Sequence, residues 1–297
     1  MTPATDSPLF SNKRIAIATD FLESSRLALD YAIGFAHHYG ASVLMVHAIE
    51  LTQAAQEAEM MSGRASMLRR SADERIQALA AGVRRLGISV ETLIAEGNPC
   101  DVLLEAVDKY KPDLLVLGTH GIHRGLDHLF LGSNTERIFL ASCCPTLTAG
   151  HHVLGGVDLD LRFKEILYVS DLSLEAAAAA PFALMIGKDF NAWVDVCQIV
   201  PDGVKDDPAL HERLAIAYCE RIKNTLPEDA HRWSSAAFQL DRSLTKEQVL
   251  DRARSESAGL IVLGVKRQSH WGQHLHTSFA YQLLAEAVCP ILTVHCP

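Results

Sequence analysis

The sequence predicts an α/β protein made of two tandem, doubly wound parallel five-stranded sheets of Rossmann-like type. Three observations carry this expectation: the chain repeats itself, each copy alternates short apolar runs with helical periodicity, and one run ends in glycines that feed a helix. The segment from Lys13, KRIAIATDFLESSRLALDYA, resembles the segment from Lys164, KEILYVSDLSLEAAAAAPFA, which sets Asp20 opposite Asp171 at an offset of 151. PDLLVLG ending at Gly118 resembles AGLIVLG ending at Gly264, and CCPTLT around Pro145 resembles VCPILTV around Pro290, at offsets of 146 and 145. Matched blocks in one order with nearly constant offsets indicate duplication. At 297 residues the chain has room for two domains. The expected boundaries are a flexible N-terminus over 1–12, a first domain over 13–149, a linker over 150–162 and a second domain over 163–297. The junction AGHHVLGGVDLDLR holds three glycines and few strong structure formers.

In the first copy, Arg14 to Thr19 is a short β-branched run. Leu27, Ala28, Tyr31, Ala32, Phe35 and Ala36 follow at helical spacing, with Gly40 as the stop. Ser42 to Ile49 predicts a second strand, followed by a polar stretch and a long helix to about Leu86. Ile88 to Ala95 predicts strand three, Asp101 to Tyr110 a helix, Leu114 to Leu117 strand four, Ser133 to Ala141 a helix and Thr146 to Thr148 the last strand. The second copy places strands near Glu165 to Val169, Trp193 to Ile199, Ser235 to Gln239, Leu260 to Leu263 and Ile291 to Val294.

Composition narrows the function. Hydrophobic residues make up 48% and charged residues 21%, as compact domains require. A formal charge of -9 argues against nucleic acid or an anionic membrane as partner. No apolar run reaches the roughly 18 to 20 residues of a membrane span. Met1 to Asn12 has neither a basic start nor an apolar signal core, and the seven cysteines show no CxxC spacing. The expected compartment is the cytoplasm.

After strand four the first copy reads GTHGIHRGLDHLFLGSNTERI, Gly118 to Ile138. Glycines let backbone N–H groups approach an anion, and a helix beginning near Ser133 offers unpaired N–H groups and a positive dipole end. Gly-Ser also closes many βα turns for geometry alone. The full pattern resembles the loop of the universal stress protein family, in which Gly-x2-Gly, nine residues and then Gly-Ser or Gly-Thr surround nucleotide phosphates. Gly118 and Gly121 match the first pair, Gly132 and Ser133 the last, with Asn134 following and Arg124 in the exposed arc. Ten residues, Ile122 to Leu131, separate Gly121 from Gly132, one more than the family pattern.

The resemblance covers both copies and implies the adenine-nucleotide α-hydrolase-like fold of that family. It implies an ATP pocket, with or without Mg²⁺, that includes Ala18, Thr19 and Asp20 at the end of strand one and the backbone of Ala48 after strand two. An acid at the carboxyl end of a parallel strand can accept ribose hydroxyls; alternatively, Asp20 only caps the next helix. In the second copy Gly264 and Ser278 remain, but Arg267 and Thr277 stand where glycines belong, so this copy is expected to bind no ATP in the usual mode. Pairing of such domains through their last strands implies an intrachain pseudo-dimer, with a homodimer as a further expectation.

His270, His274 and His276 lack a Cys or carboxylate cluster that would complete a metal site and are expected to be solvated. His120, His123 and His128 lie in the glycine loop. Cys143 and Cys144 are adjacent, which disfavours a disulfide, and the matching Cys289 suggests packing before the last strand. There is no G-x-S-x-G elbow, no GxxxxGK[ST] loop and no Ser-Gly-Gly run after strand one, so no catalytic residue is named. Three functions follow: a nucleotide-binding regulator, a scaffold of the same fold without ligand, and a slow ATPase.

Overall fold

The structure, a computed structural model, describes residues 8–50, 64–119, 135, 137, 138, 141–150, 161–199, 245–255, 258–265 and 279–295, with scattered positions between 207 and 220. Two compact units result, one built mainly on residues 8–119 and the other mainly on 145–150 and 162–295.

In the first unit, β1 (Arg14–Ala18), β2 (Ser42–Ile49), β3 (Val90–Glu96) and β4 (Leu114–Gly118) alternate with α1 (Glu23–Tyr39), α2 (Arg64–Arg84) and α3 (Pro99–Tyr110). The strand order is β3-β2-β1-β4, every neighbouring pair parallel, with Ile17 between Met45 and Val116. Parallel strands covered on both faces read as continuous apolar runs; Ile15, Ala16 and Ile17 are accordingly all buried. Ala16, Leu44, Val46, Leu115 and Leu117 pack with Cys100, Leu103, Ala106 and Val107 of α3. Gly40 ends α1 in the left-handed region at φ 63, as its position in the sequence predicts. Asn98 caps α3 by accepting from the Cys100 N–H, and Pro99 occupies the first turn, where its missing donor costs nothing. Strand three starts two residues later than expected. Phe10, within the segment expected to be flexible, is buried and stacked 3.9 Å from Tyr39.

The second unit contains β5 (Thr146–Ala149), β6 (Glu165–Ser170), β7 (Trp193–Gln198), β8 (Leu260–Val265) and β9 (Ile291–His295), with α4 (Leu174–Phe190), α5 (Lys246–Ser255) and α6 (Phe279–Glu286). The order is β5-β9-β8-β6-β7. Here the expected arrangement of two all-parallel five-stranded sheets needs correction. β5 comes from the first copy in sequence, yet it pairs antiparallel with β9, the last strand of the second copy, with Thr146 opposite Thr293 and Leu147 opposite Leu292. The Thr293 hydroxyl donates to the Thr146 carbonyl at 3.2 Å. All four residues of β5 are buried, so their backbone groups need a ladder partner, and β9 supplies it. The nine described strands thus divide four and five. The expected strand Ser235 to Gln239 lies outside the described residues.

Candidate functional site

The carboxyl ends of β1, β2 and β4 carry the first copy's candidate residues. Beyond β1, the Thr19 N–H donates to the Val46 carbonyl at 2.9 Å, extending the ladder by one residue. The buried Thr19 hydroxyl accepts from the Phe21 N–H at 3.1 Å. His47 on β2 reaches the Thr19 carbonyl through Nδ1 at 2.7 Å; a carbonyl only accepts, so Nδ1 carries the proton. Ala18 and Ala48 are partly buried against the α3 side of the core.

Asp20 is exposed, and its Oδ1 accepts from the Leu22 N–H at 2.9 Å. The N-cap of α1 is Leu22, which has no side-chain cap, so Asp20 does not cap the helix; it closes a turn just before it, bonding the backbone two residues on. Among the described residues its other oxygen has no partner and remains available to a ligand hydroxyl. Asp171 repeats the device, accepting from the Ser173 N–H at 3.0 Å. Between each Asp and its donor sits a bulky residue in the left-handed region, Phe21 at φ 64 and Leu172 at φ 63. The turn is therefore a property of both copies and by itself marks no ligand.

Gly118 also has a structural reason. A Cβ built there would lie 2.7 Å from the backbone carbon and oxygen of Ser24, so α1 crosses β4 too closely for any side chain. Gly264, its counterpart, is tighter: its Cβ would sit 1.8 Å from the Glu175 oxygen. This explains why the second copy keeps Gly264 although Arg267 and Thr277 replace the other loop glycines. Gly121, Arg124, Gly132, Ser133 and Asn134 lie outside the described residues, as do His120, His123, His128, His270, His274 and His276.

Two residues that sequence reasoning missed anchor the helix after the glycine loop. The Thr135 hydroxyl donates to the Gly118 carbonyl at 3.1 Å. The Arg137 guanidinium donates to the Asn98 side-chain oxygen at 2.9 Å and to the Asp101 carboxylate at 3.1 Å. The sequence reading began this helix at Asp101 and missed both the Asn98 cap and its link to Arg137, two positions distant in the chain.

Asp30, half-buried on α1, has its carboxyl pushed above the ordinary value of 3.8 by burial, opposed in part by Arg26. A carboxyl raised in the folded state contributes stability at low pH that is lost as pH rises through the folded value. Asp30→Asn is therefore expected to melt above the wild type at pH 7, with the gain vanishing below about pH 3.8. A lower melting temperature at pH 7, across a pH series of melts, contradicts this. Asp30 and Arg26 line a cavity between α1 and α2, whose other charged groups are Glu23 on α1 and Arg75 on α2.

Cys143 is exposed and Cys144 buried, both as free thiols. Burial pushes the Cys144 thiol far up, and it donates to the Pro112 carbonyl at 3.2 Å. Cys289 is likewise buried, with its thiol pushed up to about 12. Packing, as the sequence suggested, accounts for Cys144 and Cys289. Among the described residues no His, Cys, Asp or Glu group could hold a metal ion, and no helix is long and apolar enough to cross a membrane.

Comparison with known proteins bears on the same architecture. The chain matches the universal stress protein family twice, over residues 11–149 and 162–295. It is similar to universal stress protein MJ0531 of Methanocaldococcus jannaschii, 29% identical over 140 residues that cover 46% of this chain and 80% of that protein. It is also similar to the universal stress protein in the QAH/OAS sulfhydrylase 3' region of Thermus aquaticus, 31% identical over 137 residues covering 46% of this chain and 96% of that protein. In structure it resembles a universal stress protein from Archaeoglobus fulgidus with a TM-score of 0.70 at 18% identity, over 96% of this chain and 99% of the other, a likeness of fold alone. Two matches in succession, on a chain whose own halves repeat, make this protein a tandem member of the universal stress protein family.

Proposed function

We propose that this universal stress protein is a nucleotide-binding regulator, which holds one ATP or related adenine nucleotide, with or without Mg²⁺, at the carboxyl edge of the first unit's sheet and none in the second. The proposal is carried by the combination of Asp20, exposed at the end of β1 with one oxygen given to the Leu22 N–H, and a glycine pattern that the copy bearing Asp171 has lost, at the edge where parallel α/β sheets receive ligands. The glycine pattern from Gly118 to Ser133 supports it, with Arg124 and Asn134 as further phosphate contacts. The loss of two of the three glycines in the second copy supports a single site.

Nucleotide would bias self-association or partner binding in the cytoplasm, which requires different affinity for two states. The β5–β9 pairing supports an intrachain counterpart of the last-strand contact, leaving homodimerisation to other surfaces.

Calorimetric titration of ATP into nucleotide-free protein is expected to give about one site per chain, lost in Gly132→Trp. No binding by the wild type would leave the scaffold as the function. ATP turnover that disappears in Asp20→Ala would add the slow ATPase; equal rates in that variant would exclude it.

A further inference from the structure

The face of the first unit between α1 and α2 holds a cavity of about 790 Å³, within the size range of small-molecule sites. Its apolar lining includes Leu27, Leu29 and Leu79, and its charged lining includes Arg26 and Asp30 on α1 and Arg75 on α2. We propose that this cavity, which borders the nucleotide edge at Thr19 and extends from there between the two helices, is a second ligand site for a small amphiphilic organic anion: a compact apolar body bearing a carboxylate or sulfonate.

Arg75 is held in a way that favours such a ligand. Its guanidinium carbon lies 4.2 Å from the centroid of the Phe21 ring, which in turn tilts against His47 with centroids 4.4 Å apart. A guanidinium stacked on a ring is fixed in orientation while its in-plane N–H donors stay unspent. Among the described residues, neither Arg75 nor Arg26 makes an ion pair within 4.0 Å. Arg26 acts on Asp30 only at a distance and Arg75 makes no ion pair with a described carboxylate, so both set their donors on a concave, partly apolar wall. Glu23 and Asp30 balance their charge, so attraction for an anion rests on these placed donors rather than on a general positive field.

The protein supplies an internal control. α4 is the counterpart of α1, of the same 17-residue length and offset by 151 positions throughout. Where α1 has Ser25, Arg26 and Asp30, α4 has Ala176, Ala177 and Pro181, and Leu29 is matched by Ala180. Ala177 is buried where Arg26 is exposed, so the face that α4 packs away is open on α1. The charges therefore belong to the cavity face of the first copy and not to the repeat.

The test is titration of octanoate and of naphthalene-1-sulfonate into the full chain, with octanol as the uncharged control. One saturable site per chain is expected for each anion, and much weaker binding of octanol. Arg26→Ala and Arg75→Ala should each weaken binding by about tenfold or more, equivalent to about 1.4 kcal/mol. Both side chains are exposed, so unchanged melting curves should show that the variants fold. Gly132→Trp, which blocks the nucleotide loop, should bind the anions as the wild type does, so this site stands or falls independently of ATP binding. Absence of saturable binding by the wild type, or equal affinity in both arginine variants, overturns the proposal. One-for-one displacement by ATP, together with loss of anion binding in Gly132→Trp, also overturns it by making the cavity part of the nucleotide site.

Discussion

Gly264→Ala is expected to destabilise the second unit by at least about 3 kcal/mol, beyond the usual cost of overpacking, and to lower its melting temperature by roughly 10 °C. The new Cβ would lie 1.8 Å from the Glu175 oxygen, 2.1 Å from its carbonyl carbon and 2.5 Å from the Ala176 nitrogen. These are backbone atoms of the first turn of α4, and no rotamer change relieves them. The helix must move off β8, which opens contacts of Ala176, Ala179, Ala180 and Ala183, all buried. Gly118→Ala meets its nearest backbone atoms at 2.7 Å and should cost less. Chemical denaturation of both variants checks the order; a Gly264→Ala protein as stable as the wild type would show that α4 does not cross β8 this closely.

Asp20→Ala and Asp171→Ala should separate structure from function. Each removes one side-chain acceptor for the backbone N–H of the residue at the helix cap, Leu22 in one case and Ser173 in the other, and each should cost about 1 kcal/mol, the net worth of one hydrogen bond. Only Asp20→Ala should also weaken ATP binding, by about tenfold or more, since only that copy keeps the glycine pattern. Asp20→Asn keeps an oxygen for the Leu22 N–H and should recover the stability. Equal loss of ATP affinity in the Asp20 and Asp171 variants would contradict a single site.

Much of the fold was legible because its signals are local. The β1, β2 and β4 runs are short and apolar, Gly40 stops α1, and the duplication gives the second copy by analogy. The partner of β5 was legible only through the family resemblance, which pointed to the last strand of the other copy. The four residues themselves carry no mark of which edge they join. Gly118 was read as a loop glycine beside a phosphate; the close approach of the α1 backbone at Ser24 also demands the missing Cβ, a reason no local signal gave. Asp20 left a ribose acceptor and a helix cap as alternatives, and the structure puts one oxygen on the Leu22 N–H in a turn before the helix, with no cap. Arg75 gave no signal, because its stacking on Phe21 joins α2 to the β1–α1 turn across the fold.

The central claim is one nucleotide site, in the first copy. Photolabelling of the nucleotide-free chain with 8-azido-ATP, followed by peptide mapping, tests it most directly. The account predicts label within residues 13–149, suppressed by excess ATP and absent in Gly132→Trp. Competable label within 163–297, alone or in equal measure, would contradict it.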